Sequence, residues 1–193
     1  MSEVLGILLA AGASTRFGSD KLQQTLPHGV SVAVQAARHL RAILPRVVAV
    51  VRPGENTAAG ALRDEGCEIV VCARAVDGMG ASLACAVRAA GAVDGYVIGL
   101  ADMPFVRPST IAAVRDALLA GAVLTAPYFR THRGHPVGIA SSFRSELEAL
   151  TGDDGAKHLL AAHKDSLVKI PVGDPGVIRD IDKPEDLARP PRV

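Results

Sequence analysis

The chain has 193 residues, 49% hydrophobic and 21% charged, which is the composition of one folded globular domain and not of a disordered or collagen-like chain. Its 21 basic and 20 acidic side chains leave a net charge of +1, so no bulk field draws it to nucleic acid or to an anionic membrane. With 3% aromatics and no Trp there are no stacking platforms for single strands, and the core has to be aliphatic.

Acidic Glu3 precedes the apolar run Val4 to Leu9. That run has strand length and is too short for a signal core with a cleavage site or for a membrane span, so a soluble, cytoplasmic protein is expected. A polar, glycine-punctuated loop reaches about Gly29, and helical period runs from Ser31 to Leu44 before Pro45. Arg46 to Val51 reads as a buried strand ended by Pro53-Gly54. Asn56 or Thr57 caps a helix that Gly66 stops, and Glu68 to Val71 is the next strand. After a loop from Ala73 to Gly78 come a helix from about Gly80 to Ala90 and a strand from Tyr96 to Leu100. Pro108, Ser109 and Thr110 open another helix, and Val123 to Ala126 is a short strand. Residues 127–139 read as a hairpin or arm. Ser141 and Ser142 cap a helix through Leu150, Asp153-Asp154 start one through His163, and Leu167 to Val172 closes as a strand. No long repeat or low-complexity linker divides the chain.

Alternating strands and helices predict an α/β fold: a single three-layer α/β/α domain over 1–193, with a mostly parallel sheet and right-handed crossovers. Cys67, Cys72 and Cys85 are odd in number and lack Cys-x-x-Cys spacing, so no disulfide framework is expected and a reducing compartment fits.

The first strand empties into Leu9-Ala10-Ala11-Gly12-Ala13-Ser14-Thr15-Arg16-Phe17-Gly18-Ser19-Asp20-Lys21. Small residues let successive N–H groups close around one anion, and Arg16 and Lys21 add mobile positive charge. In open parallel sheets a ligand sits beyond the carboxyl ends of the strands, where this loop lies. No Gly-Lys-Ser/Thr follows, so it is not a Walker A loop, and it is not G-x-G-x-x-G. Asp102, in Ala-Asp-Met-Pro after the strand Tyr96 to Leu100, is an acid at a strand's carboxyl end suited to a phosphate-bearing Mg²⁺. Asp180 and Asp182 alternate on an extended segment and so project to one face. Pro184-Glu185-Asp186 reads as a helix start. His132-x-x-His135 has no further ligand to complete a zinc set. Read alone, Ser82 is a helix cap and Met79 a core filler.

The stretch LAAGASTRFGSDK resembles the L-A-[AG]-G-x-[SG]-x-R-[FM]-G-x-x-K motif of MobA-like nucleotidyltransferases, and within them most closely the molybdenum cofactor cytidylyltransferase branch. The motifs around Asp102, Gly78-Met79-Gly80-Ala81-Ser82-Leu83, Arg133-Gly134-His135-Pro136-Val137, Gly152 to Lys157 and Asp180 to Leu187 follow in family order. Two positions depart from the pattern: Lys157 stands for an Arg and Lys183 for a Thr. The resemblance implies a Rossmann-like, GT-A-like nucleotidyltransferase fold. It implies nucleotide binding by Leu9, Ala10, Ala11, Gly12, Arg16, Lys21, Gly80, Ser82 and Asp102, with Arg16, Lys21 and Asp102 catalytic. It implies Mg²⁺ on Asp102 and Asp182, with Asp180 as the alternative to Asp182. The acceptor then meets Arg133, Gly134, His135 and Lys157. The implied reaction joins CMP from CTP to a phosphorylated, molybdenum-bearing pterin, with transient contact to a molybdoenzyme or its chaperone. Neither nucleic acid nor membrane is a partner. A guanylyltransferase, a sugar-phosphate nucleotidyltransferase, a repurposed nicotinamide or flavin oxidoreductase and a nucleotide sensor are the alternatives.

Overall fold

The computed structural model describes residues 3–12 and 20–188. In chain order it contains β1 (Val4–Leu9), α1 (Val32–Arg41), β2 (Val47–Val51), α2 (Asn56–Asp64), β3 (Glu68–Val71), α3 (Met79–Ala89), β4 (Gly95–Leu100) and α4 (Pro108–Leu119). Then follow β5 (Leu124–Phe129), β6 (His132–Arg133), β7 (Val137–Ala140), α5 (Arg144–Glu148), α6 (Lys157–Ala162), β8 (Leu167–Pro171) and α7 (Pro184–Leu187). One sheet runs β3-β2-β1-β4-β7-β5-β6, with β8 beside β5. The β1–β2, β2–β3, β1–β4 and β5–β8 pairs are parallel.

Side-chain alternation along the strands sorts the core into two layers. Val4 and Leu8 of β1 join Val47, Ala49 and Val51 of β2 beneath α1, α2 and α4. Leu5 and Ile7 join Val48 and Val50 beneath α3, with Leu147 of α5 and Leu159 and Leu160 of α6. Every one of these strand residues is buried, as strands covered on both faces require. The fold is therefore the expected three-layer α/β architecture.

Residues 127–139 hold a hairpin, the first of the two expected alternatives, and add a further strand to the sheet. The hairpin is short, pairing Tyr128 with Arg133 and Phe129 with His132. The return is no arm: β7 enters the main sheet antiparallel between β4 and β5. Buried Val137 and Ile139 hold it there, and an exposed arm would leave both in water. The helix expected through Leu150 is shorter, a 3₁₀ turn over Ser141–Phe143 followed by α5. The one expected from Asp153 starts only at Lys157.

The cysteine expectation is corrected outright, because Cys72 and Cys85 form a disulfide. Spacing alone hid it. A short segment with a 3₁₀ turn over Ala75–Asp77 joins β3 to α3, which folds back over the strand end, so residues 13 apart in sequence meet. Cys67 stays free and buried, and burial pushes its thiol up to about 11. Titration of the denatured, unreduced protein is expected to find one thiol per chain and three after reduction. Three thiols without reductant would remove the disulfide from this account.

Buried Asp174 ties the C-terminal segment to the start of α4. Its carboxylate accepts from the Arg107 N–H at 2.8 Å, the Thr110 hydroxyl at 2.8 Å and the Gly176 N–H at 3.0 Å. An acid 64 to 67 residues away in sequence thus occupies the start of α4, where its charge favours the helix dipole. No motif in the sequence singles it out. Among the described residues, no helix is long and apolar enough to cross a membrane.

Candidate active site

The carboxyl ends of β3, β2, β1 and β4 lie side by side, and a cleft of about 490 Å³ crosses them. Leu9, Ala11 and Gly12 line it from β1, Arg52 from β2, Ala75 and Val76 from the segment after β3, and Leu100 and Asp102 from β4. Met79 and Ser82 of α3 close one side together with Asp153. A second cavity of about 220 Å³ adjoins it, sharing Leu9, Met79, Leu100 and Asp153 and adding Arg133, His135, Asp154 and Lys157. The first volume lies in the range of small-molecule sites, and the second extends it.

At the β4 end, Lys21 bridges two of the expected metal ligands. Its Nζ donates to Asp102 Oδ2 at 2.8 Å and to Asp182 Oδ1 at 3.2 Å. Local sequence places each group. Asp20 accepts from the Leu22 N–H at 3.1 Å and opens a one-turn 3₁₀ helix, and buried Leu22 anchors it next to Lys21. Ile181 is fully buried between Asp180 and Asp182, and its N–H donates to the Asp102 carbonyl at 2.8 Å. Both flanking carboxylates are therefore turned outward beside Asp102, as the period-two reading expects.

Burial alone would lower the Lys21 ammonium, but the hydrogen bonds and charges of Asp102 and Asp182 outweigh it and raise its pKa. Partial burial, with the charge of Asp182 next, raises the Asp180 carboxyl. Lys21, the cation expected at the departing pyrophosphate, is placed on the two carboxylates expected to hold metal. One cation already spans Asp102 and Asp182, so the pair is spaced to share a positive charge. Among the described residues no three acidic, His or Cys side chains form a cage. A hard carboxylate pair, completed by phosphate oxygens and water, fits Mg²⁺ chemistry.

Of the other expected residues, Leu9, Ala11, Gly12, Ser82 and Asp102 line the first cleft, and Arg133, His135 and Lys157 the second cavity. Arg16 lies outside the described residues. Ala10 lines neither space, and its N–H is spent on the Val50 carbonyl at 3.0 Å. Gly134 acts through its backbone: its N–H donates to Pro127 O at 2.8 Å, and a Cβ there would strike the Val177 backbone. Burial, reinforced by Arg133, pushes His135 down to about 4, which favours the neutral imidazole. Ser82 is not an N-cap; it lies within α3 and its hydroxyl donates to the Gly78 carbonyl at 3.2 Å. Met79 is 40% exposed and belongs to the cleft wall, not the core. Sequence reasoning missed Arg52, although the strand-end rule that selected Ala11 and Asp102 also selects the residue after β2.

Gly80 is fixed by close approach. Its N–H donates to Gly152 O at 2.7 Å, and a Cβ would lie 2.6 Å from Thr151 O and 3.0 Å from Gly152 O. These are backbone atoms that no rotamer change can move. Gly80→Ala is expected to cost about 1–3 kcal/mol, lowering Tm by roughly 2–4 °C per kcal/mol. An unchanged melting curve would mean that α3 and the 151–155 loop are not pressed together.

The family profile described as the MobA-like NTP transferase domain matches residues 6–167. The chain belongs to the MobA-like NTP transferase family. It is a nucleotidyltransferase by family, and the cleft across the strand ends is where such a fold carries its ligand. Purine catabolism protein PucB of Bacillus subtilis (strain 168) is similar at 28% identity over 197 residues, covering 95% of this chain and 93% of its own. Rv0371c of Mycobacterium tuberculosis H37Rv, solved in complex with manganese, superposes with a TM-score of 0.78 at 24% identity over 96% of each chain. A nucleotidyl transferase from Methanothermobacter superposes with a TM-score of 0.80 at 20% identity, covering 95% of this chain and 94% of that one. The two solved structures share the fold of this MobA-like chain.

Proposed function

We propose that this MobA-like transferase moves CMP from CTP to the phosphate of an acceptor, a molybdenum-bearing pterin by preference, and releases pyrophosphate with Mg²⁺ bound at Asp102 and Asp182. One observation supports this reading above the rest. Asp102, joined through Lys21 to Asp182, lines a cavity the size for a nucleotide, and the adjoining cavity is rimmed by Arg133 and Lys157.

A phosphate monoester acceptor is largely dianionic at neutral pH, with a second pKa of ~6, and needs no general base. Its oxygen forms a bond to the α-phosphorus while the bond to the β-phosphate oxygen breaks, and the electron pair leaves with pyrophosphate. The work of the site is to suppress repulsion between two anions and hold them in line. Bound Mg²⁺ would supply Lewis-acid charge to the phosphates. Arg133 and Lys157 orient the acceptor phosphate. Lys21, drawn from the carboxylates to the triphosphate, and Arg16 meet the charge that develops on the leaving group.

Ala11 supports CTP over GTP. It is 5% exposed at the cleft wall, where Gly would leave room for a purine's second ring. A single methyl excludes by only ~1–3 kcal/mol, so this residue contributes about 10–200-fold of discrimination. The test is kcat/KM for CTP and GTP, followed by pyrophosphate release, in the wild type and in Ala11→Gly. CTP preference that relaxes toward GTP in the variant is expected, and a GTP-preferring wild type overturns the donor assignment.

A further inference from the structure

The far end of the nucleotide cleft carries a fixed cation. Arg52 follows β2 and begins the sequence Arg52-Pro53-Gly54-Glu55, in which Gly54 has φ of +87°. Pro at the second and a left-handed Gly at the third position are the requirements of a type II turn. The Glu55 N–H closes it on the Arg52 carbonyl at 3.3 Å. Such a turn brings its first and last side chains together, and Arg52 Nη2 donates to Glu55 Oε1. The guanidinium, 28% exposed, is thus held by a rigid turn and a carboxylate while still lining the cleft.

Its distance from the phosphates follows from the sheet. Asp102 leaves β4, and Arg52 leaves β2, two strands away across β1. At about 4.8 Å per strand that is a lateral offset of roughly 10 Å. A nucleotide whose phosphates lie at Asp102 therefore extends its base toward Arg52. The walls on this side are apolar. Ala11, after β1, lies between the two, and Ala75 and the 83% exposed Val76 flank Arg52 from the β3 side. An apolar slot with one placed polar group is how a small planar ligand is oriented.

A guanidinium fork donates two parallel N–H bonds and accepts none. It matches a base edge with two adjacent acceptors. Cytosine offers O2 and N3, and guanine offers O6 and N7. Uracil places an N3–H donor beside O2, and adenine places an amino group beside N7 or N1, so each meets the fork with a donor. From this geometry we infer that Arg52, positioned by Glu55, is the residue by which the cleft selects cytosine over uracil. The inference rests on the nucleotidyltransferase reading above. It is separate from Ala11, which acts on ring size and so on cytosine against guanine.

The test is calorimetric binding of CTP and of UTP, each with Mg²⁺ and no acceptor, to the wild type, Arg52→Lys, Arg52→Met and Glu55→Gln. The wild type is expected to favour CTP by at least ~10-fold, the scale of one bidentate base contact. Arg52→Lys retains the charge but loses the fork, so its CTP/UTP ratio should collapse to within ~3-fold, as should that of Arg52→Met. Glu55→Gln should fall between. A purely structural role would change both affinities together and leave the ratio alone. An undiminished ratio in both Arg52 variants, or a wild type that binds CTP and UTP equally, overturns the role of Arg52 and leaves the nucleotidyltransferase reading intact. A wild type that binds no triphosphate overturns both.

Discussion

Asp102→Asn is expected to lower kcat by roughly 10³-fold or more, while the protein stays folded. Lewis-acid stabilisation of transferring phosphates supplies several kcal/mol, and ~4 kcal/mol corresponds to ~10³ in rate. The Asn side chain keeps the shape but surrenders the charge that the divalent ion needs. The fold is spared for two reasons. The Ile181 N–H bonds the main-chain carbonyl of residue 102, which the substitution does not touch. The lost ion pair with Lys21 is partly exposed, and such pairs contribute ~1 kcal/mol or less. The measurement is turnover against Mg²⁺ concentration alongside a melting curve. Wild-type turnover at limiting Mg²⁺ would remove Asp102 from the metal. Asp182→Asn should follow the same pattern. If Asp180→Asn is the crippled variant and Asp182→Asn is not, the second ligand is Asp180.

Lys21→Ala carries the second large effect, and it has two sides. Losing one preorganised electrostatic group at developing charge costs about 100-fold or more in turnover at saturating nucleotide. Yet Lys21 lies on Asp102 and Asp182, and on the proposed reading it would compete with a divalent ion for them. Removing it should therefore tighten Mg²⁺ or Mn²⁺ binding to the free protein even as kcat falls. Metal titration without nucleotide, set beside the saturating rate, separates the two. A change in KM alone, with kcat and metal affinity unchanged, would reduce Lys21 to a binding group.

The layers of the fold were legible because buried strands leave continuous apolar runs. Val4 to Leu9, Val47 to Val51 and Glu68 to Val71 form the expected strands. The antiparallel insertion of β7 was not, because four residues with two buried side chains carry no periodicity that distinguishes a sheet member from an arm. The Asp180-Ile181-Asp182 alternation was readable, since buried Ile181 enforces it. The Cys72–Cys85 disulfide and the Asp174 brace were not, since the first depends on how α3 folds back over the end of β3 and the second on where the distant C-terminal segment packs. Lys21 was picked out as a cation, but its partners Asp102 and Asp182 required the C-terminal segment to be seen against β4. Arg52 escaped because Pro53-Gly54 reads first as punctuation, and only the turn geometry shows what it aims at the cleft.

The most direct test of the central claim is to follow a radiolabel on the α-phosphate of CTP, with Mg²⁺ and a phosphorylated pterin acceptor. The account predicts that the label passes to the acceptor, that the pyrophosphate released is unlabelled, and that Asp102→Asn transfers almost none. Label recovered only in CTP or free CMP, or transfer by Asp102→Asn at the wild-type rate, would contradict it.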